Sequence, residues 1–108
     1  MTRSTEFTAV VRTGARARRG TVVVHELDGL IDGPSRVGLV VGKTVGGSVV
    51  RHRVSRRLRA QLCERLTRLP SGCGVVVRAL PEAKDASSAE LARDLDAALD
   101  RLLLRGRR

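Results

Sequence analysis

Aromatic side chains are almost missing from this chain of 108 residues: Phe7 stands alone, with no Trp and no Tyr. That excludes a single-strand binder built on stacked aromatic platforms. It also leaves Val, Leu and Ala to make the core. No apolar run approaches the roughly 20 residues needed to cross a bilayer. Met1–Ser4 has no apolar stretch of signal-peptide type, so a cytoplasmic chain is expected. Lysine is scarce: Lys43 and Lys84 stand against 19 arginines, a ratio that coding bias toward Arg, Ala, Gly and Val explains. Only two cysteines occur. Cys63 and Cys73 have nine residues between them, which is not a zinc-ligand spacing, and they read as two reduced, largely buried thiols.

The most informative absence is of acid. From Arg36 to Arg59 there is no Asp or Glu and there are seven basic residues. Across the chain, 21 basic against 11 acidic residues give a net charge of +10, a balance that attracts nucleic acid. The length suits a single domain over 1–108, which buries about two-thirds of its unfolded surface.

Ser4 reads as an N-cap for a helix over Thr5–Thr13, with Phe7, Val10 and Val11 on its apolar face. The alternation in Ala15–Arg19 suits a short edge strand, and Thr21–Leu27 is β-branched and strand-like. Asp28–Pro34 is a turn or loop. Arg36–Lys43 is the next strand. Gly46 and Gly47 supply a turn with positive φ, and Ser48 caps a helix running to about Leu69, stopped by Pro70-Ser71-Gly72. Gly74–Leu80 is a fourth strand. Ser87-Ser88-Ala89-Glu90 is a capping box. It opens a last helix with Leu91, Leu95, Ala98, Leu99 and Leu102 on one side, followed by a frayed basic tail at 105–108. The order αβββαβα predicts an α+β chain: one α/β sandwich with a mixed four-stranded sheet.

On a helical wheel, Val50, Val54, Leu58, Leu62 and Leu66 sweep one side, while His52, Arg53, Arg56, Arg57 and Arg59 lie opposite. Five arginines fall within the nine residues Arg51–Arg59. Only Glu64 offers local relief, and it lies beyond the run. Cations clustered on one rigid face repel one another, and phosphates offset that cost most readily. A membrane-surface role fits less well, because the sheet needs the apolar face and that face carries no bulky aromatic. The helix N-terminus adds free amides beside Lys43 and Arg51, a suitable grip for phosphate oxygens.

At these residues the chain resembles the protein subunit of bacterial ribonuclease P. That family carries a strand of the form RVGL-x-V-x-K, then a Gly-Asn turn, then R-N-R-x-x-R-R-x-R on a helix. Here the corresponding residues are Arg36–Lys43, Gly46-Gly47 and Arg51–Arg59. The Glu6-Phe7 pair, the Val-rich strand at Val75 and the element order extend the resemblance over nearly the whole chain. It implies an α/β sandwich with a left-handed βαβ crossover through the arginine helix. It implies binding of a catalytic RNA by that helix and of the 5′ leader of precursor tRNA in a cleft between the first helix and the sheet. The holoenzyme is an endoribonuclease that removes the leader, and the RNA partner and substrate hold the Mg2+ ions. Matched by position, Lys43, Arg51, Arg53, Arg56, Arg57 and Arg59 are RNA contacts, with His52 standing for the motif's Asn and Gly47 for the turn's Asn. Phe7, Val11 and His25 fall at leader-cleft positions.

The residues themselves offer no catalytic centre and no metal site. Asp28 and Asp32 read as turn formers beside Gly29 and Gly33. Asp94, Asp96 and Asp100 read as a solvated face of the last helix. Neither His has a triad context, and Cys63 reads as embedded in its helix. The alternative reading is a stand-alone RNA-binding module of ribosomal-protein type without associated cleavage.

Overall fold

The computed structural model describes residues 4–29 and 33–106, and side chains for 8–29 and 33–103. Helix α1 spans Ser4–Thr13, and the strands are β1 (Ala15–Arg19), β2 (Val22–Leu27), β3 (Arg36–Val40) and β4 (Gly74–Ala79). Helix α2 covers Ser48–Arg65 and α3 covers Ser88–Gly106. Single 3-10 segments occur at Leu66–Arg68 and Pro81–Asp85. The predicted order αβββαβα is the observed one.

The sheet runs β1-β2-β4-β3. β1 and β4 each flank β2 antiparallel, and β3 lies parallel to β4 at the edge. Parallel neighbours need a crossover, and here α2 makes it. The left-handedness of that crossover rests on the family resemblance.

Alternation along the strands divides the sheet into two faces. One carries Ala17, Val22, Val24, Val75, Val77 and Ala79 into the main core with α2 and α3. Leu91, Leu95, Ala98, Leu99 and Leu102 of α3 are buried there as predicted, as are Val54, Leu58 and Leu62 of α2. The other face carries Arg16, His25, Val76 and Gly38 as one row across the sheet and Arg18, Val23, Arg78 and Val40 as the next. Helix α1 packs on β2 and β4. Its Val10 is buried outside the main core cluster, as is Val76.

Several boundaries move for identifiable reasons. β3 stops at Val40, short of the expected Lys43. Its partner β4 ends at Ala79, and Pro81, which has no N–H to give a ladder, begins a 3-10 segment. Leu66 leaves the apolar stripe because α2 tightens there into a 3-10 turn, and its side chain is 44% exposed. Cys63, expected to be buried, is exposed on α2, whereas Cys73 is buried. Ser4 is already inside α1, with its side chain outside the described residues. α3 continues through Gly106, into the expected tail, and 107–108 lie outside the described residues.

The capping box at α3 forms as read. The Ser87 N–H donates to Glu90 Oε1 at 3.0 Å and the Glu90 N–H donates to Ser87 Oγ at 3.1 Å. Asp94 departs from the expected solvated face. Its Oδ2 accepts the Thr21 N–H at 3.0 Å and the Thr21 hydroxyl at 2.7 Å, tying α3 to the β1–β2 turn. Gly20 turns there with φ +48, and a Cβ on it would stand 2.6 Å from Asp94 Oδ2. Both conformation and space therefore call for glycine.

Candidate nucleic-acid interface

Helix α2 begins at a glycine. Gly47 is the N-cap with φ −70 and ψ 179, and no side chain caps the first turn. The expected Ser48 cap is instead the first helical residue. Positive φ falls on Gly46, at +156, where a Cβ would meet the Val50 side chain at 2.9 Å. Gly47, which stands for the motif's Asn, needs no left-handed conformation: its φ is open to any residue, and nothing lies within 4 Å of a Cβ built there. The turn therefore depends on Gly46. The first turn of α2 contains no acid, and Lys43 is exposed in the turn just before it. Amide donors, helix dipole and ammonium thus share one end of the helix.

The arginine face divides into two sets. The Arg53 Nη2 donates to the Lys84 carbonyl at 3.1 Å, and the Arg57 Nη1 donates to the Ala86 carbonyl at 2.8 Å. These two guanidinium groups fasten the Pro81–Asp85 segment to α2. Among the described residues, the side chains of Lys43, Arg51, Arg56 and Arg59 make no hydrogen bond or ion pair. Arg56, Arg59 and His52 are exposed, while Arg51 is half-buried with its Nε sequestered and unpartnered.

Two carboxylates of α3 serve the other end of α2. Asp96 accepts from Arg65 in bidentate fashion, Nε at 2.7 Å and Nη2 at 3.0 Å, and from Arg68 Nη1 at 3.0 Å. Arg68 also pairs with Asp100. The Arg65 guanidinium beside Asp96 holds that carboxyl below the ordinary carboxylate range against the opposing effect of burial. α3 thus spends Asp96 and Asp100 on the end of α2 and the 3-10 turn after it, and leaves the start and middle of that helix cationic.

The expected cleft residues lie on the opposite face of the sheet. Val11 is half-buried on α1. Phe7 is on α1, with its side chain outside the described residues. His25 is 3% exposed, and neither ring nitrogen has a partner among the described residues. Burial, then Arg16 and Arg78, push its pKa down, so the imidazole is neutral at pH 7. Sequence reasoning missed the cations of this face: Arg16, Arg18 and Arg78 are exposed, and the ladder puts all three beside His25 or Val23. The alternation Ala-Arg-Ala-Arg in β1 carried the signal, but the register that adds Arg78 from β4 is a tertiary fact.

Fold and surface together define a class: a basic, single-domain α/β sandwich with unneutralised cations on its crossover helix. The sequence profile of the family described as Ribonuclease P matches residues 1–103. The chain is 54% identical over 114 aligned positions to the ribonuclease P protein component of Streptomyces bikiniensis, covering 98% of this chain and 93% of that protein. It is 52% identical to the component of Mycobacterium sp. strain KMS, covering 94% and 86%. Among solved structures, the RNase P protein of Staphylococcus aureus superposes with a TM-score of 0.82 at 20% identity, covering 94% of this chain and 92% of that one. The Thermotoga maritima RNase P protein gives 0.72 at 21% identity, covering 89% and 87%. The chain belongs to the ribonuclease P protein family.

Proposed function

We propose that this chain docks on the catalytic RNA of ribonuclease P through α2, and that α1 with its facing sheet surface holds the 5′ leader of precursor tRNA. The observation that carries this reading is the unpartnered set Lys43, Arg51, Arg56 and Arg59. Phosphates replace the carboxylates that the fold does not supply there. His52 is exposed within the same surface and offers a ring donor and acceptor. Arg53 and Arg57 act from within that surface by fastening the Pro81–Asp85 segment. On the α1 face, Arg16, Arg18 and Arg78 give a leader strand a cationic path beside Phe7, Val11 and His25.

In this reading the chain binds, orients and neutralises, and the RNA performs the hydrolysis in the cytoplasm. The Mg2+ ions belong with RNA and substrate, because α2 presents cations that repel a divalent ion. Lowering phosphate repulsion lets RNA and substrate associate at less Mg2+ than RNA alone requires. The test mixes the full chain with catalytic RNA and a precursor tRNA at low Mg2+. Leader removal faster than with RNA alone is the expected result. Binding without faster cleavage would instead support a stand-alone RNA-binding module.

A further inference from the structure

Away from both nucleic-acid surfaces, Glu26, Asp28 and Cys73 converge at the end of the sheet nearest the C-terminal part of α3. Glu26 and Asp28 share a face because they are two apart on and just past β2. The β2–β4 ladder closes with Leu27 opposite Gly74, so one further step sets Asp28 opposite Cys73. The carboxylate oxygens and the thiol sulfur lie within 4.8 Å of one another. Glu26 is 7% exposed and Cys73 is fully buried. The two carboxyls open on a cavity of about 460 Å3 that Thr67, Arg68, Ser71 and Leu103 also line.

Among the described residues, this cluster has no cation of its own. The Arg68 guanidinium at the cavity wall is already held by Asp96 and Asp100. Among the described residues Glu26 has only Asp28 as a partner, itself a carboxyl group. Burial, then Asp28, push the Glu26 carboxyl up to about 7, and burial, then Glu26 and Asp28, push the Cys73 thiol up to about 11. Acidic donors held together beside a cavity, with no positive group among the described residues to balance them, match the needs of a divalent ion.

We propose that Glu26, Asp28 and Cys73 form a binding site for a thiophilic divalent metal ion of the zinc or cobalt class. One thiolate with two carboxylates favours a borderline ion over Mg2+, which prefers oxygen and water. Three protein ligands leave the fourth tetrahedral position toward the cavity. On binding, the thiol proton and the carboxyl proton pass to solvent, and sulfur and oxygen lone pairs bond to the metal. The ion joins the end of β2 to the start of β4. Sequence spacing gave no hint of it, because Asp28 and Cys73 are 45 positions apart.

The test titrates Co2+ into the full chain without RNA and follows thiolate-to-cobalt charge transfer in the near-ultraviolet. A band saturating at one ion per chain is expected, bleached by Zn2+ and untouched by Mg2+. It should vanish in Cys73→Ser and persist in Cys63→Ser. Asp28→Asn, at an exposed turn position, should melt like the parent without metal yet bind Co2+ at least about tenfold more weakly. Absence of the band in the parent chain, a band that follows Cys63, or unchanged affinity in Asp28→Asn would overturn the site.

Discussion

Asp94 shows how one residue's role depends on what stands opposite it. Its helix neighbours Arg93 and Glu90 are exposed, whereas its carboxylate is turned inward on Thr21. Asp94→Ala should cost about 2–3 kcal/mol in urea unfolding, since it leaves a buried N–H and hydroxyl without their charged acceptor. A loss below about 0.5 kcal/mol, the ordinary range for surface substitutions, would mean that water replaces the carboxylate. At the same scale the arginines separate. Arg56→Ala with Arg59→Ala should leave the melting temperature unchanged and flatten the slope of log K against log salt for RNA binding by about 1.4–1.8, at 0.7–0.9 per phosphate contact. Arg53→Ala with Arg57→Ala should lower the melting temperature, because two loop carbonyls lose their donors, and should flatten the slope less. The reverse order of effects would move the RNA contact to Arg53 and Arg57. A hydrophobic wheel puts these arginines on one face but does not separate them, since the carbonyls of Lys84 and Ala86 approach only in the fold.

At the scale of elements, the α2–α3 lock is made of Arg65, Arg68, Asp96 and Asp100. The Asp96 carboxyl has its pKa lowered in the folded protein by Arg65. A group of that kind stabilises the fold above its unfolded value and loses the contribution as pH falls through the lower folded value. Asp96→Asn should therefore cost about 1 kcal/mol near neutral pH, with the difference from the parent shrinking below about pH 4. Thermal melts across pH check this, and a difference that persists in acid would point to packing in place of charge. Existence, type and order of the elements were legible from periodicity, β-branching and the Ser87–Glu90 cap, all of which act over a few residues. The ends of β3 and α2 were not. β3 ends at Val40, where its ladder to β4 ends opposite Arg78, and α2 tightens at Leu66 before the Leu69–Pro70 stop, while Asp96 on α3 holds Arg65 at its end.

At the scale of the molecule, the sheet separates two cationic surfaces. α2 lies on one side, and α1 with Arg16, Arg18 and Arg78 lies on the other. If α1 and its facing sheet hold the leader, Phe7→Ala should weaken binding of leader-bearing substrate more than of leaderless tRNA, measured with the reconstituted holoenzyme. Equal losses on both substrates would assign Phe7 to packing alone. Legibility of the interface differed between the two surfaces. The α2 surface was visible as an acid-free arginine run within one helix. The α1 surface was visible only at Phe7, Val11 and His25, because its cations come from β1 and β4, which the ladder brings together through β2.

What the sequence determined alone was local or compositional: the aliphatic core that one aromatic residue enforces, the excess of positive charge, the strand-turn-helix motif, and through it the family. Tertiary structure decided which charges remain available. Arg65 and Asp96 meet across 31 positions, Arg53 and the Lys84 carbonyl also across 31, and Thr21 and Asp94 across 73. A charge is neutralised by whatever lies within a few ångströms of it, and the order of residues along a chain does not give that distance once helices and strands pack.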